Sequence, residues 1–139
     1  MSGKVFIDTN IFIYLYSEDE QEKQKIALNL LKQGRCITST QVLNEFCSVC
    51  LRKLGMPANE VRLSMEEIAG NCELCYIDMA IIQKALILNE KYGYTYYDCL
   101  ILSSAIYKNC QYLYSEDMQH NQIIDGILKI INPFVLNSQ

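Results

Sequence analysis

The stretch "VFIDTNIFIYLY", residues 5–16, sets one carboxylate, Asp8, inside a run that is otherwise almost wholly apolar. An ionised carboxylate taken out of water is costly unless it is hydrogen-bonded, paired or bound to a cation. Asp8 therefore demands a partner from elsewhere in the chain. Val5, Phe6 and Ile7 read as a buried strand, and Asn10 is expected to cap a short helix over residues 11–16 that is apolar all round and hence buried.

Working outward, Ser17-Glu18-Asp19-Glu20 matches a capping box for a helix whose Ile26, Leu30 and Leu31 face inward until Gly34 stops it. Residues 36–38 read as a second strand. A helix from Ser39 or Thr40 carries Leu43, Phe46, Cys47, Cys50, Leu51 and Leu54 on one face and ends at Gly55. Pro57 opens the next, to about Gly70; a strand near 74–77 and a helix over 78–92, closed by Gly93, follow. Residues 97–109 read as helix, 112–114 as strand, and 128–131 as a last strand before Asn132-Pro133 breaks the chain. Short apolar strands alternating with helices predict an α/β fold: a three-layer α/β/α sandwich with a short-stranded, mostly parallel central sheet. The 139 residues suit one domain, spanning 1–139.

Composition narrows the function classes. Half the residues are apolar and a fifth charged, which fits a globular chain and not a disordered one. The first apolar run is too short to span a bilayer and lacks a signal peptide's cleavage site, so no membrane association and a cytoplasmic location are expected. Seven cysteines without an export signal then imply reduced thiols, not a disulfide framework. The net charge of −4 gives no global attraction to nucleic acid, so an RNA substrate would need local positive charge.

The acids supply the partner for Asp8. Asp8 and Asp117 each fall just past a strand, while Glu45 falls in the opening turns of the helix after residues 36–38 and Asp98 in the first turn of the helix from Tyr97. In a parallel sheet these positions share one edge, where open α/β sheets bind ligands. Four carboxylates gathered there repel one another and suit a hard cation, Mg²⁺ or Mn²⁺, one or two ions per site. Such a cation attracts a phosphodiester and activates water to attack it. Asn10 and Ser115, one on each side of the central strands, are placed to support ligands or water by hydrogen bonds.

The motifs "FIDTN" around Asp8, "LNEF" around Glu45, "YYDCLI" around Asp98, and "LYSEDMQHNQII" with "INPF" around and behind Asp117 run in order through nearly the whole chain. In this the chain resembles PIN domains, and more narrowly the VapC-like toxin ribonucleases of type II toxin-antitoxin pairs. The resemblance implies a Mg²⁺- or Mn²⁺-dependent endoribonuclease, homodimeric, inhibited by a cognate antitoxin that covers the acidic pocket. Asp8, Glu45, Asp98 and Asp117 match the family's catalytic and metal-binding acids, and Asn10 and Ser115 its supporting polar positions. Two departures stand out: Asn121 where many relatives have glycine, and Tyr97 where tryptophan is common.

Plainer readings stand beside these. Asp8 alone could be a helix cap, and Asp98 an acid favoured by the helix dipole. Glu116 is taken to face solvent. The two CxxC pairs, Cys47 with Cys50 and Cys72 with Cys75, suggest zinc, but the first pair lies on an apolar stripe and reads better as core. His120 is read as a loop residue satisfied by backbone. Lys23, Lys25, Lys32 and Arg35 form a modest basic face that guides RNA or serves solubility. Two rival functions are a non-catalytic PIN-like binding module and a Mg²⁺-dependent phosphohydrolase. A haloacid-dehalogenase phosphatase needs a second aspartate where Asn10 stands, and a receiver domain needs a late lysine that Ser115-Glu116-Asp117 does not supply.

Overall fold

A computed structural model describes residues 3–135; residues 1–2 and 136–139, the ends of the expected 1–139 domain, lie outside the described residues. Strand β1 (Val5–Ile7) leads into α1 (Thr9–Leu15) and α2 (Gln21–Lys32), then β2 (Cys36–Ser39), α3 (Thr40–Arg52), α4 (Ala58–Asn71) and β3 (Glu73–Cys75). The chain continues through α5 (Met79–Tyr92), α6 (Tyr96–Tyr107), β4 (Tyr112–Tyr114), β5 (Ile123–Ile124) and β6 (Leu128–Ile131). The strands form one sheet in the order β3-β2-β1-β4-β6-β5, parallel except where β5 runs against β6.

This order dictates the layers. From β1 to β2 to β3 the chain steps one way across the sheet, and from β3 to β4 it returns past β1. Right-handed crossovers then put α1 to α4 on one face and α5 with α6 on the other. The contacts agree, with α1 against α2 and α3, α3 against α4, and α5 against α6. The expected three-layer sandwich is the observed one. Its core joins Phe6, Phe12, Ile37, Phe46, Leu88, Leu102 and Leu113, all fully buried. Helix α6 is enclosed on all sides from Cys99 to Ala105.

Several local readings need correction. The first helix begins at Thr9, capped by Asp8 and not by Asn10, because the extended backbone at Asp8 lets its own carboxylate reach the Thr9 N–H. The capping box fails: Glu20 precedes α2 without a side-chain bond. Leu51 and Leu54, expected on the inward face of α3, are exposed. The third strand lies earlier than expected, at Glu73–Cys75, in register with β2.

Cys36 and Cys72 are joined as a disulfide, against the expectation of seven reduced thiols. The register explains it: Ile37 stands opposite Glu73, so the residues before them are neighbours, with Cα atoms 4.8 Å apart. The other five cysteines are free. One bond between adjacent strands is not a framework.

The hairpin of β5 and β6 is absent from the sequence reading, although "IIDGIL" carries its signal. Asp125 and Gly126 both take positive φ, and the Ile127 N–H donates to the Ile124 carbonyl at 3.0 Å, the turn that Asp-Gly favours between antiparallel strands. Asp125 also bolts the hairpin to α5. Its carboxylate accepts from Lys84 at 2.7 Å, Lys91 at 2.8 Å and the Tyr92 hydroxyl at 3.0 Å. Lys84 foremost, then Lys91, hold its pKa far below the usual carboxylate value.

A carboxylate with a depressed folded-state pKa stabilises the fold above its unfolded pKa and loses that contribution as pH falls through the folded value. Asp125→Asn, which keeps the left-handed backbone accessible, should therefore cost about 1 kcal/mol near neutral pH, a figure discounted for the exposed lysines. Urea denaturation should show that difference shrinking below about pH 4.

Candidate active site

The same register builds the site. Ile7 lies opposite Tyr114 in the parallel pair β1–β4, so the next residues, Asp8 and Ser115, emerge side by side at the carboxyl edge. Strand order reverses at this point, since β2 and β4 flank β1. A crevice opens at such a reversal.

Asp8 is 4% exposed. One carboxylate oxygen accepts from the Thr9 N–H at 2.6 Å and the other from the Ser115 hydroxyl at 2.7 Å, while the Asp8 N–H donates to the Tyr114 carbonyl at 3.0 Å. Burial nonetheless pushes its pKa up to about 7 against those two bonds, with the Asp117 and Glu45 charges adding to the rise.

The other acids arrive from separate elements. Ser39 caps α3 and sets its first turns over the crevice, where Glu45 accepts from the Thr9 hydroxyl at 2.8 Å. Thr95 caps α6, its hydroxyl accepting from the Asp98 N–H at 3.3 Å, which fixes Asp98 in the first turn. Asp117, on the loop after β4, accepts from the Asn10 amide at 3.0 Å, and its N–H donates to the Ser115 hydroxyl at 3.2 Å. The pKa values of all three are raised. Lost hydration acts first in each, followed in opposition by Thr9 for Glu45 and Thr95 for Asp98, and in support by the Glu116 charge for Asp117.

Asp8, Glu45, Asp98 and Asp117 line one cleft of about 270 Å³ together with Thr9, Asn10, Ser48, Val49 and Arg52. None of the ion pairs among the described residues involves any of the four acids. No three His, Cys, Asp or Glu side chains among those residues converge tightly enough to hold an ion by themselves. The donor set still fits a hard cation: Mg²⁺ is bound through one or two carboxylates and takes its remaining ligands from water and substrate phosphate.

Four neighbours of the site differ from, or add to, the sequence reading. Glu116 is not solvent-facing; Lys23 holds it at 2.6 Å and the Tyr14 hydroxyl at 2.6 Å, which turns it away from the cleft. Its partners lie far off in sequence, so no local pattern marks them. Thr9 is an addition, signalled in the sequence by a hydroxyl one residue after Asp8 at a helix start. Ser48 and Arg52 are further additions, at offsets of three and seven from Glu45 on one helix face. His120 is satisfied by backbone as expected, its Nδ1 accepting from the Asn132 N–H at 2.9 Å. Asn121 keeps a positive φ of 71°, a conformation asparagine tolerates better than most residues, so the loop does not need glycine there.

Comparison with known proteins follows the same line. The family model described as PIN domain matches residues 5–124. No curated protein matches the chain. Among solved structures, a toxin-antitoxin complex from Klebsiella pneumoniae superposes with a TM-score of 0.71 at 18% identity, covering 94% of this chain and 98% of that one. Mycobacterium tuberculosis VapC20, described as a sarcin-ricin loop cleaving toxin, gives 0.67 at 18% identity, with coverage of 82% and 90%. VapBC2 from Rickettsia felis, bound to a promoter DNA fragment, gives 0.64 at 20%, with coverage of 91% and 97%. At these identities the structures share the fold with this chain.

The raised pKa of Asp8 has a sign that can be read. An acid whose folded-state pKa exceeds its unfolded value binds a proton more tightly when folded, so its ionisation costs stability near and above pH 7 and the cost vanishes below about pH 4. Asp8→Asn should therefore be more stable than the wild type by about 1 kcal/mol at mildly alkaline pH in chelator, and the gain should disappear on acidification. Thermal melts across pH read this directly.

Proposed function

We propose, from the premise that the chain belongs to the PIN domain family, that it is a single-domain, Mg²⁺- or Mn²⁺-dependent endoribonuclease hydrolysing RNA phosphodiester bonds, the toxin of a toxin-antitoxin pair. The observation that carries this reading is the shared cleft of Asp8, Glu45, Asp98 and Asp117, whose carboxyls are all raised in pKa and form no ion pair among the described residues.

In this reading Asp8, Asp98, Asp117 and Glu45 hold one or two divalent ions. A bound ion supplies positive charge against the phosphodiester and makes water acidic enough to attack phosphorus at neutral pH. The protein's own part is to hold donors still. Ser115 and the Thr9 N–H fix both oxygens of Asp8, the Thr9 hydroxyl orients Glu45, and Asn10 orients Asp117. Donors fixed in advance need no reorganisation when charge develops.

The similar structures include a toxin and a toxin-antitoxin complex, which supports an antitoxin as the partner. A homodimer and a cytoplasmic location belong to the same reading. Among the described residues no helix is long and apolar enough to cross a membrane. A reducing cytoplasm would open the Cys36–Cys72 bond, but neither sulfur lines the cleft.

The test is cleavage of total and transfer RNA by the purified chain with Mg²⁺ or Mn²⁺, beside chelator and beside Asp8→Asn. The expected result is metal-dependent cutting that the variant loses by a factor of about 10² or more. Equal cutting by both would indicate a contaminant. Mn²⁺ should raise the melting temperature of the wild type more than that of Asp8→Asn.

A further inference from the structure

Helix α3 borders the cleft with a single stripe. Glu45, Ser48, Val49 and Arg52 stand at offsets of three, four and seven residues, the spacing that returns to one helix face, and all four line the cleft. The stripe opens with a carboxylate and closes with a guanidinium, about 10 Å further along at a rise of 1.5 Å per residue. Arg52 Nε donates to the Ser48 hydroxyl at 3.0 Å, which draws the planar head back along the helix towards the acids.

That is its one polar partner among the described residues. Among the described residues Arg52 forms no ion pair, with four carboxylates in the same cleft. The charge is thus not used to neutralise the acids, and both terminal nitrogens of an exposed guanidinium remain available. A guanidinium presents its N–H groups in a rigid fork that matches the oxygens of a phosphate. Among the described residues Arg52 is also the one cation lining the cleft, in a protein whose net charge of −4 supplies no general attraction for RNA.

We infer that Arg52, positioned by Ser48, grips a backbone phosphate of single-stranded RNA beside the phosphate that sits at the four carboxylates. The inference rests on the ribonuclease reading and adds where the strand lies: along the exposed stripe of α3. A contact two turns away from the reacting centre holds the strand and contributes mainly to binding, so its loss raises KM more than it lowers kcat.

Binding tests this separately from cleavage. In an Asp8→Asn background, the affinity for a short fluorescein-labelled single-stranded oligoribonucleotide is measured by anisotropy at increasing KCl. Adding Arg52→Ala should weaken binding about tenfold and lower the slope of log affinity against log salt by about 0.7, the share of one single-strand phosphate contact. Arg52→Lys should recover the slope and only part of the affinity, because an ammonium cannot bond as a fork. Unchanged affinity and slope in Arg52→Ala, or a lowered melting temperature with an unchanged slope, overturns this inference and leaves the ribonuclease reading standing. An Asp8→Asn chain that binds no RNA, beside a wild type that cuts none, overturns both.

Discussion

The Asp8 carboxylate is buried at the end of β1, bonded through both oxygens, and still pushed up to about pKa 7 by its surroundings. Two hydrogen bonds do not fully offset burial when Glu45 and Asp117 press the same sign of charge towards it. The Thr9 bond is local, but the Ser115 bond depends on parallel pairing of β1 with β4 in one register. A slip by one residue would send Asp8 to the other face and leave Ser115 without its acceptor. The sheet's alignment and the site's chemistry are therefore one constraint.

Crowding four acids around a cleft lowers stability in the absence of a counter-charge, and the fold tolerates it through the hydrophobic mass beneath. Helix α6 is buried on every side from Cys99 to Ala105, and α1 buries Ile11, Phe12 and Ile13. Asp8 is itself the cap of α1 and Asp98 lies in the capped first turn of α6, both joined to that mass. Burial is strong and non-directional, so it can hold an unfavourable electrostatic arrangement in place as long as the caps orient it.

The sequence displayed the acids and the alternation of elements because both are local patterns: an apolar triplet followed by a polar residue, a helix opened by serine or threonine. What it concealed depended on pairing across distance. The Cys36–Cys72 bond follows from the β2–β3 register, and the Lys23–Glu116–Tyr14 cluster joins residues from α2, α1 and the loop after β4. Other features were visible and passed over. "IIDGIL" carries a hairpin turn in plain view, and Arg52 lies seven residues after Glu45. The apolar positions of α3 mark its core stripe, whereas Glu45, Ser48 and Arg52 beside it form a polar stripe with no hydrophobic periodicity to mark it.

The four carboxylates differ in what carries them. Asp98 rides on α6, whose following turns are locked in the core, and Asp8 is fixed between two strands. Asp117 is exposed on the loop after β4, between buried Ser115 and Met118, and is steadied by the Asn10 amide and the Ser115 hydroxyl. Close-packed interiors resist displacement, while loops open at low free-energy cost. The cleft is in this sense a vice with one fixed jaw and one sliding jaw: Asp8 and Asp98 define a reference position, and adjustment to anything entering or leaving is taken up at Asp117.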